Sequence, residues 1–68
     1  MKVQVNRTPV EIFDGARAQH AVLRYLVIRH QSRSLLGHGR IEDAYGHEIG
    51  LDAPLHEGQL IKFKLNLK

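Results

Sequence analysis

The sequence predicts an α+β fold, with a mixed sheet of four to five strands packed on one central helix in the order ββαββ(β). Three observations predict it. Residues 16–31 hold no Gly or Pro and are the one stretch long enough for a helix of three turns or more. The residues before that stretch read as two short apolar-alternating runs joined by a tight turn. The last ten residues alternate most strongly of all.

The elements follow in order. Residues 2–6, Lys-Val-Gln-Val-Asn, form a strand with Val3 and Val5 inward. Asn6, Arg7 and Thr8 make the turn, where Asn6 tolerates the left-handed region. Residues 9–13 return as the second strand of a hairpin, Val10 and Ile12 inward, Glu11 and Phe13 outward. Pro9 has no N–H and should open that strand where no ladder bond is needed. Asp14 is the expected N-cap, with Gly15 and Ala16 in the first turn.

At 100° per residue, Ala18, Ala21, Val22, Tyr25 and Ile28 fall on the helix side facing the sheet, with Leu26 at its edge. Leu23 and Val27 lie away from it, and Arg17, His20 and Arg24 form a narrow polar arc. Either the following loop covers Leu23 and Val27 through Leu35 and Leu36, or they make a second apolar face for a partner or a dimer. The first reading is the simpler one.

Residues 32–34 end the helix, and 35–39 form a loop in which Leu35 and Leu36 cap the core. Residues 40–45 and 48–51 flank a Tyr45-Gly46-His47 turn as a second hairpin, with Ile41, Ile49 and Leu51 inward. Residues 52–58 are irregular, and Leu55 plugs the core. In the last strand Ile61, Phe63, Leu65 and Leu67 alternate with Lys62, Lys64, Asn66 and Lys68. Its strong apolar face predicts a central place in the sheet.

Size and composition bound the functions. Sixty-eight residues make one domain (1–68) with a small core, since a chain this short buries about 60% of its unfolded surface. The absence of Cys excludes a disulfide, a thiolate metal site and a thiol nucleophile. No apolar run approaches the roughly 20 residues needed to span a bilayer, and no signal pattern opens the chain, so no membrane role and a cytoplasmic location are expected. The net charge of +3 is uneven. Residues 1–34 carry six basic and two acidic side chains, residues 35–68 four and five. Arg17, Arg24, Arg29 and Arg33 have no acidic residue between them, which makes a local basic stripe on the helix and its exit.

A hairpin followed by a crossover helix needs a parallel partner for its first strand, and the long last strand supplies one. This is the β-grasp, or ubiquitin-like, arrangement. Over nearly its whole length the chain resembles the small ubiquitin-like proteins of the sulfur-carrier type, which include the thiamine and molybdopterin sulfur carriers. The resemblance lies in the V-x-V-N opening (Val3 to Asn6), in Asp14-Gly15-Ala16 entering the helix, and in Val22-Leu23 at its middle. Leu55-His56-Glu57-Gly58-Gln59-Leu60-Ile61 is similar to the L-x-x-G-D-x-V entry to the family's last strand. The family acts through a flexible Gly-Gly tail whose carboxylate is adenylated and thiolated. This sequence closes Leu65-Asn66-Leu67-Lys68 instead. Glycines let such a tail thread a narrow adenylation site, which Leu67 and Lys68 cannot do. With Lys68 as the end, the resemblance implies the frame without the carrier chemistry.

Other patterns give no catalytic site, metal site or cofactor. His20, His30, His38, His47 and His56 lack the close spacings of metal ligands and read as surface histidines. Gly37-His38-Gly39 is followed by neither a helix nor a Lys-Ser/Thr pair, so turn chemistry explains it. Ser32 and Ser34 lack a nucleophile elbow. Glu42 and Asp43, adjacent on a strand, point to opposite faces and read as a solvated strand.

The expected function is therefore a non-catalytic protein-interaction module, with an unidentified protein partner or a homodimer contact. Its candidate surfaces are the open sheet face (Phe13, Lys62, Lys64, with Glu11) and the outer helix face (Leu23, Arg24, Val27). Ubiquitin-like domains commonly bind through an exposed sheet surface, as the resemblance implies. The alternatives are a sulfur-carrier-related protein whose Gly-Gly tail lies outside this sequence, and an RNA-associated module. The TGS domain of threonyl-tRNA synthetases, a β-grasp relative, keeps the RNA reading in view. It ranks behind because four aromatic residues offer little base stacking.

Overall fold

The first hairpin is set by two residues in the left-handed region, Asn6 at φ 51° and Arg7 at φ 67°. A two-residue loop with both φ positive matches the twist of the strands it joins. The computed structural model describes residues 1–66. The strands are β1 (Lys2–Val5), β2 (Thr8–Glu11), β3 (Gly39–Asp43), β4 (Glu48–Ile49) and β5 (Leu60–Leu65). One α-helix, α1 (Ala18–Ile28), follows β2, and a 3-10 helix (Arg33–His38) leads into β3. The sheet order is β2-β1-β5-β3-β4, parallel between β1 and β5 and antiparallel elsewhere. The fold is thus α+β, with a mixed five-stranded sheet and β5 at its centre, as the sequence predicts. Leu67, predicted inward, and Lys68 lie outside the described residues.

The β1–β5 pairing is short. Gln4 faces Leu60 and Val5 faces Ile61, with Gln4 N–H donating to Gln59 O at 2.9 Å and Asn6 N–H to Ile61 O at 3.1 Å. There β1 ends and β5 runs on, so the next backbone groups of β5 that face β1 belong to Phe63. The Asn6 side chain takes both. Its Nδ2 donates to Phe63 O at 3.1 Å, and its Oδ1 accepts Phe63 N–H at 3.0 Å. Nδ2 also reaches the Tyr25 hydroxyl at 3.2 Å.

Val3, Val5, Val10, Ile41, Ile61 and Phe63 face α1 from the sheet, and Ala18, Ala21, Val22 and Leu26 answer from the helix. The buried stripe is rotated toward Leu26, which is fully buried, while Ile28 is exposed. Ile28 lies about 160° around the helix from Leu26, on the side that this rotation turns away from the sheet. The N-cap is Arg17, not Asp14. The backbone carbonyls of Ala53 and Leu51 accept Ala18 N–H and Gln19 N–H, each at 2.9 Å, and His20 Nδ1 accepts Arg17 N–H at 2.8 Å. The loop across the helix end thus takes the donors that an N-cap side chain would otherwise satisfy.

At the other end His30, at φ 57°, closes a Schellman motif. His30 N–H donates to Val27 O, and Gln31 N–H to Leu26 O. The helix therefore stops before residue 31, at a histidine in the place a glycine usually takes.

Four further expectations change. The stretch 35–39 is not a loop, because residues 33–38 wind into the 3-10 helix opened by Ser32, whose Oγ accepts Ser34 N–H. Leu35 and Leu36 pack on the core, as expected, but Val27 is not covered and stays 48% exposed. Leu51, predicted inward, is exposed because β4 has ended and the chain is turning. Gly39 is a packing glycine in β3, not a turn residue. A Cβ there would lie 2.6 Å from Lys64 O and 2.7 Å from the Phe63 ring. Pro9 sits second in β2, opposite Gln4, whose own N–H is turned to β5, so the missing donor faces open edge.

Two substitutions test this account in urea melts. Asn6→Gly keeps the turn conformation and removes both bonds to Phe63, so it should cost about 2–3 kcal/mol. A loss under about 0.5 kcal/mol would refute the clamp. His30→Gly should stabilise by about 1 kcal/mol, because a left-handed residue with a Cβ is strained by about 1–2 kcal/mol and glycine's chain entropy takes back part. A less stable His30→Gly protein would show that the imidazole contributes more than its backbone costs.

Candidate interaction groove

Beyond β2 the chain keeps its register for one residue, with Ile12 N–H donating to Met1 O at 2.9 Å. Phe13 O then accepts Ala16 N–H, and Gly15 at φ 88° turns the chain into α1. This leaves the Phe13 ring beside the first turn of the helix. It meets the His20 ring edge-on, with centroids 5.0 Å apart. His20 is itself held by the Arg17 N–H on Nδ1, so the pair forms a fixed wall.

Along that wall runs a groove of about 480 Å³. Glu11, Ile12 and Phe13 line it from the end of β2, His20, Leu23, Arg24 and Val27 from α1, and Arg33 from the start of the 3-10 helix. Ile12 and Leu23 are half-buried, while Phe13 is 61% exposed. Arg24 and Arg33 are exposed and form no ion pair among the described residues. The groove joins apolar area to two unpaired arginines, with the Glu11 carboxylate also in its lining.

The predicted open sheet face is divided. Phe13 and Glu11 belong to the groove. Lys62 and Lys64 stand on the outer face of β5, two strands away from β2. On that face one carboxylate holds two cations, while Lys62 forms no ion pair among the described residues. Glu42 is buried there, with Arg40 Nε at 2.8 Å and Lys64 Nζ at 3.5 Å from its carboxylate. Glu42 is therefore not the solvated strand residue the sequence suggests. The Arg40 guanidinium first, and Lys64 with it, hold its carboxyl below the ordinary glutamate value against the opposing effect of burial. Asp43, on the other face, accepts His47 N–H and Tyr45 N–H at 2.9 Å each. The His47 amide leads in lowering the Asp43 carboxyl below its usual range.

Of the sequence-predicted residues, the structure brings Phe13, Leu23, Arg24 and Val27 together. It leaves Lys62 and Lys64 apart. The sequence does not point to Ile12 or His20 as site residues, and it marks Arg33 only as part of the basic stripe. The signal for His20 was its place three residues after the true N-cap, hidden while Asp14 held that role. Among the described residues no group of three or more His, Asp or Glu side chains could hold a metal ion, and no helix is long and apolar enough to cross a membrane. No family model matches this chain, and neither a curated protein nor a solved structure matches it.

The lowered carboxyls give a pH dependence whose sign is fixed. Each group binds protons more weakly in the folded state, so its contribution is complete above the ordinary values of 4.5 and 3.8. That contribution is lost as pH falls through the folded values. The melting temperature should fall on acidification below about pH 4.5, and Glu42→Gln should flatten that decline. An unchanged acid slope in Glu42→Gln would show that the Arg40–Glu42–Lys64 cluster adds nothing.

Proposed function

We propose that this chain is a non-catalytic β-grasp module that binds a protein partner, and that the groove between β2 and α1 is its docking surface. The observation that carries this reading is the joint exposure of Phe13 and Val27 beside two unpaired arginines, Arg24 and Arg33. Exposed apolar side chains ringed by uncompensated charge favour binding over solvation. The outer sheet face is a weaker candidate, because Glu42 already occupies Arg40 and Lys64.

An RNA-associated role is the second reading. The exposed Arg17, Arg24, Arg29 and Arg33 favour it, since unpaired cations on one element suit phosphates. The groove offers one aromatic face and places Glu11 beside it, which suits a peptide better than a strand of bases. The sulfur-carrier alternative concerns a Gly-Gly tail that lies outside this sequence.

Photo-crosslinking in the native host separates these readings. Benzoylphenylalanine at Val27 should capture a polypeptide, and the same group at Gln4 on the outer sheet face should not. An adduct formed only at Gln4 would move the site to the sheet. An adduct removed by ribonuclease would establish the RNA reading.

A further inference from the structure

The groove lies against an open sheet edge. Strand β2 is the outermost strand on its side. In the antiparallel β1–β2 pair, bonded and non-bonded residue pairs alternate. Ile12 and Met1 exchange bonds, with Ile12 N–H on Met1 O and the Met1 amine on Ile12 O, both at 2.9 Å. The next pair, Glu11 and Lys2, is therefore a non-bonded one. Lys2 confirms it by turning its backbone the other way. Its N–H lies 3.2 Å from both Glu57 carboxylate oxygens, and its O accepts Gly58 N–H at 2.7 Å. The Glu11 N–H and C=O consequently point out from the sheet, without a partner among the described residues. Pro9, also in a non-bonded pair, presents an outward carbonyl and no N–H.

An edge strand with free N–H and C=O groups is a template for an added strand. Pro9 removes one donor, which confines full pairing to the Glu11 end of β2. That is the end beside the groove. A strand laid on this edge would alternate its side chains between the groove and the outside. Those directed into the groove would meet Ile12, Leu23 and Val27, and carboxylates on the segment would meet Arg24 and Arg33.

We propose that the groove accepts an extended, acidic segment of a partner protein, which adds as a strand to the free edge of β2 at Glu11 with its carboxylates on Arg24 and Arg33. This rests on the groove reading above and gives its partner a chemistry. A second copy of this chain fits less well. Two β2 edges paired about Glu11 would place that carboxylate opposite its equivalent, and like charges directly opposite destabilise a pair, whereas the proposed segment carries its carboxylates toward its ends, away from Glu11. RNA supplies no strand to pair with the Glu11 backbone.

The test titrates the isotope-labelled chain with an acetylated nonapeptide, Asp-Glu-Val-Thr-Val-Thr-Val-Glu-Asp. Two controls accompany it, one with all four acidic residues changed to Lys and one N-methylated at the central Val. The acidic peptide should shift the Glu11 and Phe13 amide signals and slow hydrogen exchange at Glu11. The Lys peptide should bind at least about tenfold more weakly, and N-methylation should remove the protection. Arg24→Glu with Arg33→Glu should weaken binding about tenfold with the melting temperature retained. Unmoved Glu11 and Phe13 signals at millimolar acidic peptide would overturn the proposal, as would equal binding of the Lys peptide. Glu11 protection that rises with protein concentration alone would overturn it in favour of self-pairing. A protein captured at Val27 that leaves Glu11 unprotected in the complex would overturn strand addition while the groove reading stands. No capture at Val27 would remove both.

Discussion

The carboxamide of Asn6 closes the gap in this sheet where β1 ends and β5 runs on. Strand β5 pairs with β3 as far as Leu65, but β1 accompanies it only to Ile61. Phe63 would be left with a backbone N–H and C=O facing a strand that has already turned away. Each unpaired group in such a place costs about 1–3 kcal/mol, a large share of the stability of a small domain. Asn6 supplies a donor and an acceptor in one planar group, spaced like a backbone amide. It also takes the left-handed conformation that its turn requires. Gly meets the second demand only, and Asp could accept the N–H but not donate to the carbonyl. A residue doing both ties the β1–β2 hairpin to the centre of the sheet.

That tie places the groove. The tight Asn6-Arg7 turn sends β2 back along β1 to the sheet edge, so the end of β2 arrives beside the start of the helix. Ala18 and Ala21 are small enough to let the first half of α1 lie close on the sheet. The loop carbonyls of Leu51 and Ala53 then hold the helix end in place. With both walls anchored by backbone bonds, Phe13 and His20 meet without a flexible link between them. The backbone of this surface is fixed by those bonds, while its exposed arginines still lose rotamer freedom when a partner docks.

Much of the fold was legible because it follows from period and turn chemistry. The alternation of Val3 with Val5 and of Ile61 with Phe63 gave the two central strands, and the need for a parallel partner gave their pairing. What was hidden involved contacts distant in sequence. Asp14 reads as an N-cap until a loop more than 30 residues later supplies the carbonyls. Ile28 is as apolar as Leu26, and the rotation at which the helix sits on the sheet decides which is buried. His30 gave no stop signal, since its backbone conformation is one expected of Gly. For the site, Leu23, Arg24 and Val27 were legible as an unexplained apolar-basic helix face. Phe13 was legible as exposed, but strand alternation sent it to the wrong surface. Its strand ends at Glu11, and two residues later alternation no longer governs direction.

The uneven charge of the sequence becomes meaningful once the faces are known. The acidic second half places Glu42 in the outer sheet face, where it pairs with Arg40 on its own strand and Lys64 on the next. The basic first half has few acidic residues to spend, and Asp14 lies by the Met1 amine rather than by an arginine. Arg24 and Arg33 thus remain uncompensated, at the groove and beside the sheet edge whose Glu11 backbone is free. Attraction to a carboxylate at such an exposed site is modest and screened by salt, so it cannot supply the affinity alone. It can orient an incoming segment and reject a basic one, while strand pairing and burial against Leu23 and Val27 supply the hold. Specificity and affinity would then come from different parts of one surface. The outer sheet face leaves Lys62 without an ion pair among the described residues, but its Arg40 and Lys64 are already held by Glu42.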